Sequence, residues 1–432
     1  MVKVLIVTYY WPPAGGPGVQ RWLKFVKYFR DFDIEPIVYA PKNPTYPLED
    51  ISLLSEIPEG IEVLKQPIFE PYRFAQLFSK KETKTISKGI IAGAAKQSFI
   101  QRLLLYIRGN FFIPDARKFW VKPSITYLQK YVSEHKINVV ITTGPPHSIH
   151  LIGKELKKHT GVKWLADFRD PWTTIGYHDK LKLTKRSMQK HISMEKEVLN
   201  TADHIVVTSF TTEKEFRAIA AETPISVITN GYDKESIPET VLDTTFTISH
   251  IGSLLSGRNP KNLWKALYDL TEENKAFSSA FRLQLVGAVS NDVLSSIEEA
   301  GLSDFLVLKG YVPHTEAIQI QRSSQVLLLI EIDSKDTRCI IPGKLFEYMV
   351  STRPTIAVGP KGADVSRLIF ETNSGIFFEY QEYDRIKAQI LEYFVQFQEG
   401  TLASHVIGIG KYSRKELTRA MTNTIKAMVD DE

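Results

Sequence analysis

Cys339-Ile-Ile-Pro-Gly-Lys-Leu-Phe-Glu-Tyr-Met-Val-Ser-Thr-Arg-Pro-Thr-Ile-Ala-Val-Gly359 reads as a loop, a helix and a short strand. Pro342 and Gly343 stand where a helix would start, and proline suits a first turn because its missing N–H would have had no partner there. Leu345, Phe346, Met349 and Val350 recur at i, i+1, i+4 and i+5, giving one apolar face. Lys344, Glu347, Tyr348 and Ser351 fall on the opposite side. Pro354 stops the helix, since the residue before a proline is pushed out of the α region. Thr355 to Val358 then reads as a buried strand.

This places a helix N-terminus, a lysine and a glutamate on one side. Free N–H groups at a helix start attract phosphate. A glutamate one turn on can accept hydrogen bonds from a sugar hydroxyl. The pair could hold a sugar nucleotide by diphosphate and ribose. The alternative is an exposed Lys–Glu pair three residues apart, contributing only about 0.2–0.5 kcal/mol.

The rest of the chain supplies the setting. Val2–Tyr9 is β-rich, Trp11-Pro-Pro-Ala-Gly-Gly-Pro-Gly18 is a turn-rich loop, and Val19, Trp22, Leu23, Val26 and Phe29 mark an amphipathic helix. Ile34–Ala40 is a second strand. Strand, glycine loop, helix and strand imply a parallel sheet. Arg21 occupies the third-glycine position of a dinucleotide fingerprint, and no acidic residue ends the second strand, so NAD binding is unexpected. Residues 41–125 are less regular. Alternation resumes with strands Ile137–Thr143, Lys163–Phe168, His204–Ser209 and Ile225–Thr229, separated by helices. Thr211 or Thr212 would cap the helix ending at Ile219. His147, Arg169, Asp170 and Asn230 lie at carboxyl ends of strands, where open parallel sheets bind ligands. Residues 234–245 read as a linker. A second alternating series runs from Thr247 to Phe397, and a last helix spans about Ser413 to Met428.

At 432 residues the chain suggests two or three domains of about 100–200 residues. Its 43% hydrophobic and 24% charged residues are those of a soluble globular protein. One cysteine, Cys339, excludes an internal disulfide framework and a cysteine metal cluster. The apolar run at the start is too short for a signal-peptide core, and no run is long enough to span a membrane. Net charge is +5, but residues 65–122 alone hold 12 Lys and Arg against 3 Asp and Glu. There Phe74, Phe78, Phe99, Tyr106, Phe111, Phe112, Phe119 and Trp120 interleave with Lys80, Lys81, Lys84, Lys88, Lys96, Arg102 and Arg108. An apolar stripe runs through Ile100, Leu103, Leu104 and Ile107. An anionic membrane surface and ordinary core helices with solvated lysines both fit this pattern. Nucleic acid is not expected, since no recognisable module accompanies the charge.

Two further constellations carry chemistry. Gly252-Ser-Leu-Leu-Ser-Gly-Arg-Asn-Pro-Lys261 is a glycine-bearing basic loop opening a helix. Arg258 could clamp a diphosphate, with Lys261 in reserve; a charge-assisted contact contributes roughly 1.5–3 kcal/mol. Asp167-Phe-Arg-Asp170 brings two carboxylates and a guanidinium to one strand end, either as an acceptor site or as a structural ion pair. His147 is a candidate proton carrier. No metal site is expected: Asp31-Phe-Asp33 lies at the wrong sheet end, and no His-Glu-x-x-His or cysteine spacing exists.

Together the Gly15–Gly16 loop, Thr143-Gly-Pro-Pro-His147, Asp167-Phe-Arg-Asp-Pro-Trp172, Asn230-Gly-Tyr-Asp233, Gly252–Lys261 and Pro342-Gly-Lys-Leu-Phe-Glu347 resemble a family-4 glycosyltransferase of the GT-B type. The resemblance covers nearly the whole chain and is nearest to transferases of capsule, O-antigen and exopolysaccharide assembly. It implies an α/β fold of two facing, doubly wound Rossmann-like domains. Residues 1–235 would bind the acceptor and 246–410 the nucleotide sugar, with 411–432 a helix crossing back to the first domain. It implies retaining transfer from a nucleotide-diphosphate sugar to a hydroxyl of a glycan, lipid-linked in the expected case, without metal or other cofactor. The acceptor side would use His147, Asp167, Arg169 and Asp170. The donor would meet Gly15, Gly16, Asn230, Gly252, Arg258, Lys261, Tyr311, Val312, Lys344, Leu345 and Glu347. A cytoplasmic protein, peripheral on the inner face of the plasma membrane, is implied. Two departures stand out. Cys339 occupies the place of the family's first paired glutamate, and Ser253 that of its loop arginine. They leave room for a catalytically weak nucleotide-sugar-binding partner, or for an epimerase on the same fold.

Overall fold

The computed structural model describes residues 1–71, 99–174, 176, 178, 181–233 and 240–430. Two compact units divide the chain: Met1–Thr229 with the residues from Arg414 on, and Asn230–Ser413.

The first unit is a parallel sheet of seven strands: β1 (Val2–Val7), β2 (Ile34–Pro41), β3 (Glu62–Gln66), β4 (Val139–Gly144), β5 (Lys163–Phe168), β6 (His204–Val207) and β7 (Ile225–Val227). Their order is β3-β2-β1-β4-β5-β6-β7. Successive strand residues point to opposite faces, and both faces are covered. Leu5, Val7, Val140, Trp164, Ala166 and Phe168 enter one apolar layer. Val4, Ile6, Val139, Ile141 and Leu165 enter the other, with Trp22, Val26 and Phe29 of the helix Pro17–Phe29. The helix Arg414–Asp430 lays Leu417, Met421, Ile425 and Met428 into that second layer.

The second unit repeats the plan with β8 (Phe246–Ile251), β9 (Phe281–Val286), β10 (Leu306–Gly310), β11 (Val326–Ile330), β12 (Thr355–Gly359) and β13 (Gly375–Glu379), ordered β10-β9-β8-β11-β12-β13. Every paired strand in both sheets is parallel. Strand order reverses between β1 and β4 and between β8 and β11, so each unit has a crevice at those carboxyl ends.

Three expectations need correction. The irregular stretch 41–125 contains β3, a half-exposed edge strand too short to show a period. The helix Lys118–His135 begins inside that same stretch and runs through Pro123, because Trp120, Ser124, Leu128, Tyr131 and Val132 bury one stripe. Ser209, not Thr211 or Thr212, caps the helix Phe210–Ile219, its hydroxyl accepting from the Thr212 N–H. Phe74, Phe78, Lys80, Lys81, Lys84, Lys88 and Lys96 lie outside the described residues.

Candidate functional site

In the first unit Asp167, next to last in β5, lies on the face that meets the helix Pro17–Phe29. It is fully buried and paired. Arg21 Nη2 donates to Oδ1 at 2.8 Å, while Trp22 Nε1 and the Thr143 hydroxyl each donate to Oδ2 at 2.8 Å. Arg21 Nη1 also donates to the Thr229 carbonyl at 2.9 Å. The carboxylate's lone pairs are committed, so Asp167 ties β4, β5 and the first helix together; it is not placed for acid–base work. Arg21 stands at the third-glycine position because its side chain belongs to this pair.

Arg169 is likewise occupied. Its Nε donates to the Gly144 carbonyl at 3.2 Å and its Nη2 to the Pro145 carbonyl. Its guanidinium lies over the Tyr10 ring, 5.5 Å from the centroid. A side chain on Gly18 would sit 2.3 Å from Arg169 Nη1, which explains the glycine. Asp170 differs. It is half-buried and makes no ion pair or hydrogen bond among the described residues. Burial raises its carboxyl above the usual range, against the Arg169 charge.

His147 opens the helix Ser148–Thr160, whose N-terminal Ser148 is held by Asp115 through N–H and hydroxyl donors, both at 2.8 Å. The imidazole is buried and stacked on Trp172, 5.0 Å between centroids and 4° from parallel. Neither ring nitrogen has a hydrogen-bond partner among the described residues. Burial, then neighbouring histidines, holds its pKa well below 6.5. His150 stacks on Phe168 at 4.2 Å, and His178 and His191 lie 4.7 Å apart. Trp164 Nε1 donates to the Thr142 hydroxyl oxygen, which lies 2.9 Å from His150 Nδ1. Trp172 Nε1 donates to His191 Nδ1. The indole can only donate, so neutral His191 carries its proton on Nε2.

Gly16 takes a left-handed φ of +90° at the start of the helix Pro17–Phe29. The Gly15 N–H donates to the Leu48 carbonyl at 2.9 Å, so it is unavailable to an anion.

The second unit gathers its candidates at the β8/β11 crevice. The helix Gly343–Val350 starts after Pro342, as its sequence predicts. Lys344 makes no ion pair with Glu347. Its Nζ donates to His250 Nε2 at 3.2 Å and to the Ile251 carbonyl at 3.2 Å. His250 Nδ1 faces the Leu328 carbonyl at 2.9 Å; it therefore carries the ring proton and leaves Nε2 as acceptor. Burial, opposed by Glu331 and aided by Arg258, lowers the Lys344 pKa to about 8. Gly252 has φ +112°, and Lys344 Nζ lies 3.6 Å from where a side chain would begin. Arg258 Nη2 approaches Glu331 Oε2 at 4.0 Å. Glu347 Oε2 accepts from Gln321 Nε2 at 3.0 Å. Tyr348, expected on the polar face, is buried, and its hydroxyl accepts from the Ile251 N–H at 3.0 Å.

The structure thus brings Gly252, Arg258, Lys344 and, one helical turn on, Glu347 to one end of the sheet. It does not bring every expected residue. Leu345 is fully buried and its N–H donates to the Pro342 carbonyl, so it has nothing to offer a donor. Lys261 is exposed with no ion pair among the described residues. Tyr311 is 91% exposed, Val312 is half-buried, and Asn230 begins this unit, half-buried. Cys339 is buried, its Sγ 3.8 Å from the Asp336 carbonyl. Sequence reading missed Glu331, His250 and Gln321. Glu331 had a signal: an acidic residue directly after the all-apolar β11, at a strand end where ligands bind. Among the described residues no group of His, Cys, Asp and Glu could hold a metal.

Two parallel Rossmann-like sheets in two units, with a terminal helix completing the first, define the GT-B fold. Solved structures share it over the whole chain. A glycosyltransferase from Rickettsia africae ESF-5 is 13% identical, with 100% of this chain and 99% of that one covered at a TM-score of 0.61. WaaB, a lipopolysaccharide outer core galactosyltransferase, is 14% identical, with 99% of each chain covered and a TM-score of 0.57. A Listeria monocytogenes protein described as a UDP-N-acetylglucosamine 2-epimerase is 9% identical, covering 100% and 97% at 0.56. No family model and no curated protein matches the chain.

Proposed function

We propose that the chain is a glycosyltransferase that moves a sugar from a nucleotide-diphosphate donor to a hydroxyl of a glycan acceptor in surface polysaccharide assembly. The observation that carries this reading is the convergence of Arg258 and Lys344 at the start of the helix Gly343–Val350, with Glu347 one turn further on. Two cations beside a helix N-terminus suit a diphosphate. Glu347, already oriented by Gln321, suits ribose hydroxyls. The leaving group is then the diphosphate, and stabilising its developing charge is the main catalytic task. With retention, the acceptor hydroxyl attacks on the leaving-group face, and no enzyme nucleophile is required. In the first unit Asp170 and His147 are the acceptor-side candidates, because Asp167 and Arg169 are held in structural bonds. The galactosyltransferase fold-mate supports the polysaccharide setting.

Thermal-shift titration with UDP, GDP and dTDP tests the donor side. One nucleotide should raise Tm in the wild type and fail to do so in Glu347→Ala with Lys344→Ala. No protection by any nucleotide sinks the reading. The Listeria fold-mate favours one second reading, nucleotide-sugar epimerisation. An epimerase would convert the free donor with no acceptor present.

A further inference from the structure

Glu331 directly follows β11. It is 2% exposed, and its Oε2 has no hydrogen-bond partner among the described residues. Its position is fixed nonetheless. The Glu331 N–H donates to the Val358 carbonyl at 2.8 Å, and its carbonyl accepts from the Tyr380 hydroxyl at 2.6 Å. A buried carboxylate without hydrogen bonds is costly unless something charged compensates it. Two cations are there: Arg258 at 4.0 Å and Lys344, both within electrostatic reach. Those cations repel each other when no anion is bound, and Arg258 pushes the Lys344 pKa down.

The geometry points to Glu331 as a positioning residue: a resident counter-anion that keeps Arg258 and Lys344 converged at the β8/β11 crevice until a diphosphate arrives. This rests on reading that crevice as the nucleotide-sugar site. The groups facing Lys344 are Glu331 after β11, Arg258 in the loop after β8, His250 on β8 and Glu347 on its own helix. Those facing Glu331 are Lys344 and Arg258, which favour its carboxylate against the burial that raises its pKa, and its charge also reaches Tyr380. Glu331 acts in two opposed ways. It sustains the Lys344 charge, and it repels the incoming anion. Neutralising it should tighten anion binding where Lys344 is charged anyway, and advance the loss of binding as pH rises.

The test is calorimetric titration of the full chain with inorganic pyrophosphate across neutral and alkaline pH. The ligand's own titration is common to all variants and cancels in comparison. Wild-type affinity should fall as pH rises through about 8, the Lys344 value. In Glu331→Gln the fall should come about one pH unit earlier, with binding near neutrality kept or tightened. Glu331→Asp, which retains the charge, should keep the wild-type profile, and melting temperatures establish that both variants are folded. A Glu331→Gln profile centred where the wild type's is, or weakened equally at every pH, overturns the inference. A wild type that binds no pyrophosphate at any pH overturns the underlying reading as well.

Discussion

At the scale of single residues, hydrogen bonding separates Asp167 and Arg169, held by their partners, from Asp170 and the His147 ring, which make no hydrogen bond among the described residues. Asp167 was legible as a carboxylate at a strand end. Its task was not, because Arg21 and Trp22 lie far away in sequence and only the sheet brings them to its face. The strand alternation held the clue: Asp167 shares parity with Leu165, whose face packs on the first helix. The histidines form the other residue-scale feature. In the folded chain His150 titrates at about 3 and His178 and His191 at about 4, all lowered first by burial from 6.5. Above pH 6.5 they are neutral in both folded and unfolded chains. Below it the unfolded chain takes up protons that the folded chain refuses, so stability falls as pH drops from 6.5 towards 4. Each histidine contributes up to roughly 1.4 kcal/mol per pH unit in that window. Glu195 and Asp170, raised by burial, act in the opposite direction. Urea denaturation of the wild type and His150→Asn between about pH 7 and about pH 5 isolates one ring. The variant should lose less stability on acidification; equal losses would refute the neutral-histidine account.

At the scale of elements, the proposed anion site depends on two loops that cross closely. Gly252 follows β8 and Gly287 follows β9, with φ of +112° and +116°. A side chain on Gly287 would begin 2.7 Å from the Gly252 carbonyl oxygen, a backbone atom that cannot turn aside. Gly287→Ala should therefore destabilise the chain by about 2–4 kcal/mol, adding backbone strain to the clash. It should also weaken nucleotide binding by displacing Gly252 from beside Lys344. Unchanged denaturation midpoints would contradict the described loop geometry. Most elements were legible because long apolar periods and strand ends announce them. The helix Gly343–Val350 was readable from Pro342, its apolar face and Pro354. The edge strand β3 and the proline-bearing helix Lys118–His135 were not, since half-exposure and Pro123 erase the local signal while packing restores the element.

At the scale of the molecule, no helix among the described residues is long and apolar enough to cross a membrane. The helix Phe99–Phe111 and its neighbourhood nevertheless expose Phe69, Leu103, Tyr106, Phe111 and Phe119, and Lys118 Nζ lies over the Phe112 and Phe119 rings at 5.6 and 5.3 Å. Apolar groups flanked by cations suit an anionic bilayer surface at which a lipid-linked acceptor would be met. The chain should sediment with anionic vesicles, release at high salt, and ignore neutral vesicles. Binding indifferent to salt would reject the electrostatic contact. Doubly wound order in each unit followed from the strand–helix alternation. Which of the acceptor-side candidates are tied up did not, because Asp167 is bound from Arg21, 146 residues away, and Arg169 binds the Gly144 carbonyl, 25 residues away.

The central claim is sugar transfer from a nucleotide donor. Mass spectrometry of the products formed from a panel of UDP-, GDP- and dTDP-sugars, with and without a glycan acceptor, tests it most directly. One donor should be consumed, releasing its nucleoside diphosphate, with the sugar transferred to acceptor or, more slowly, to water. Intact donors throughout, or a donor merely epimerised without acceptor, would contradict the claim.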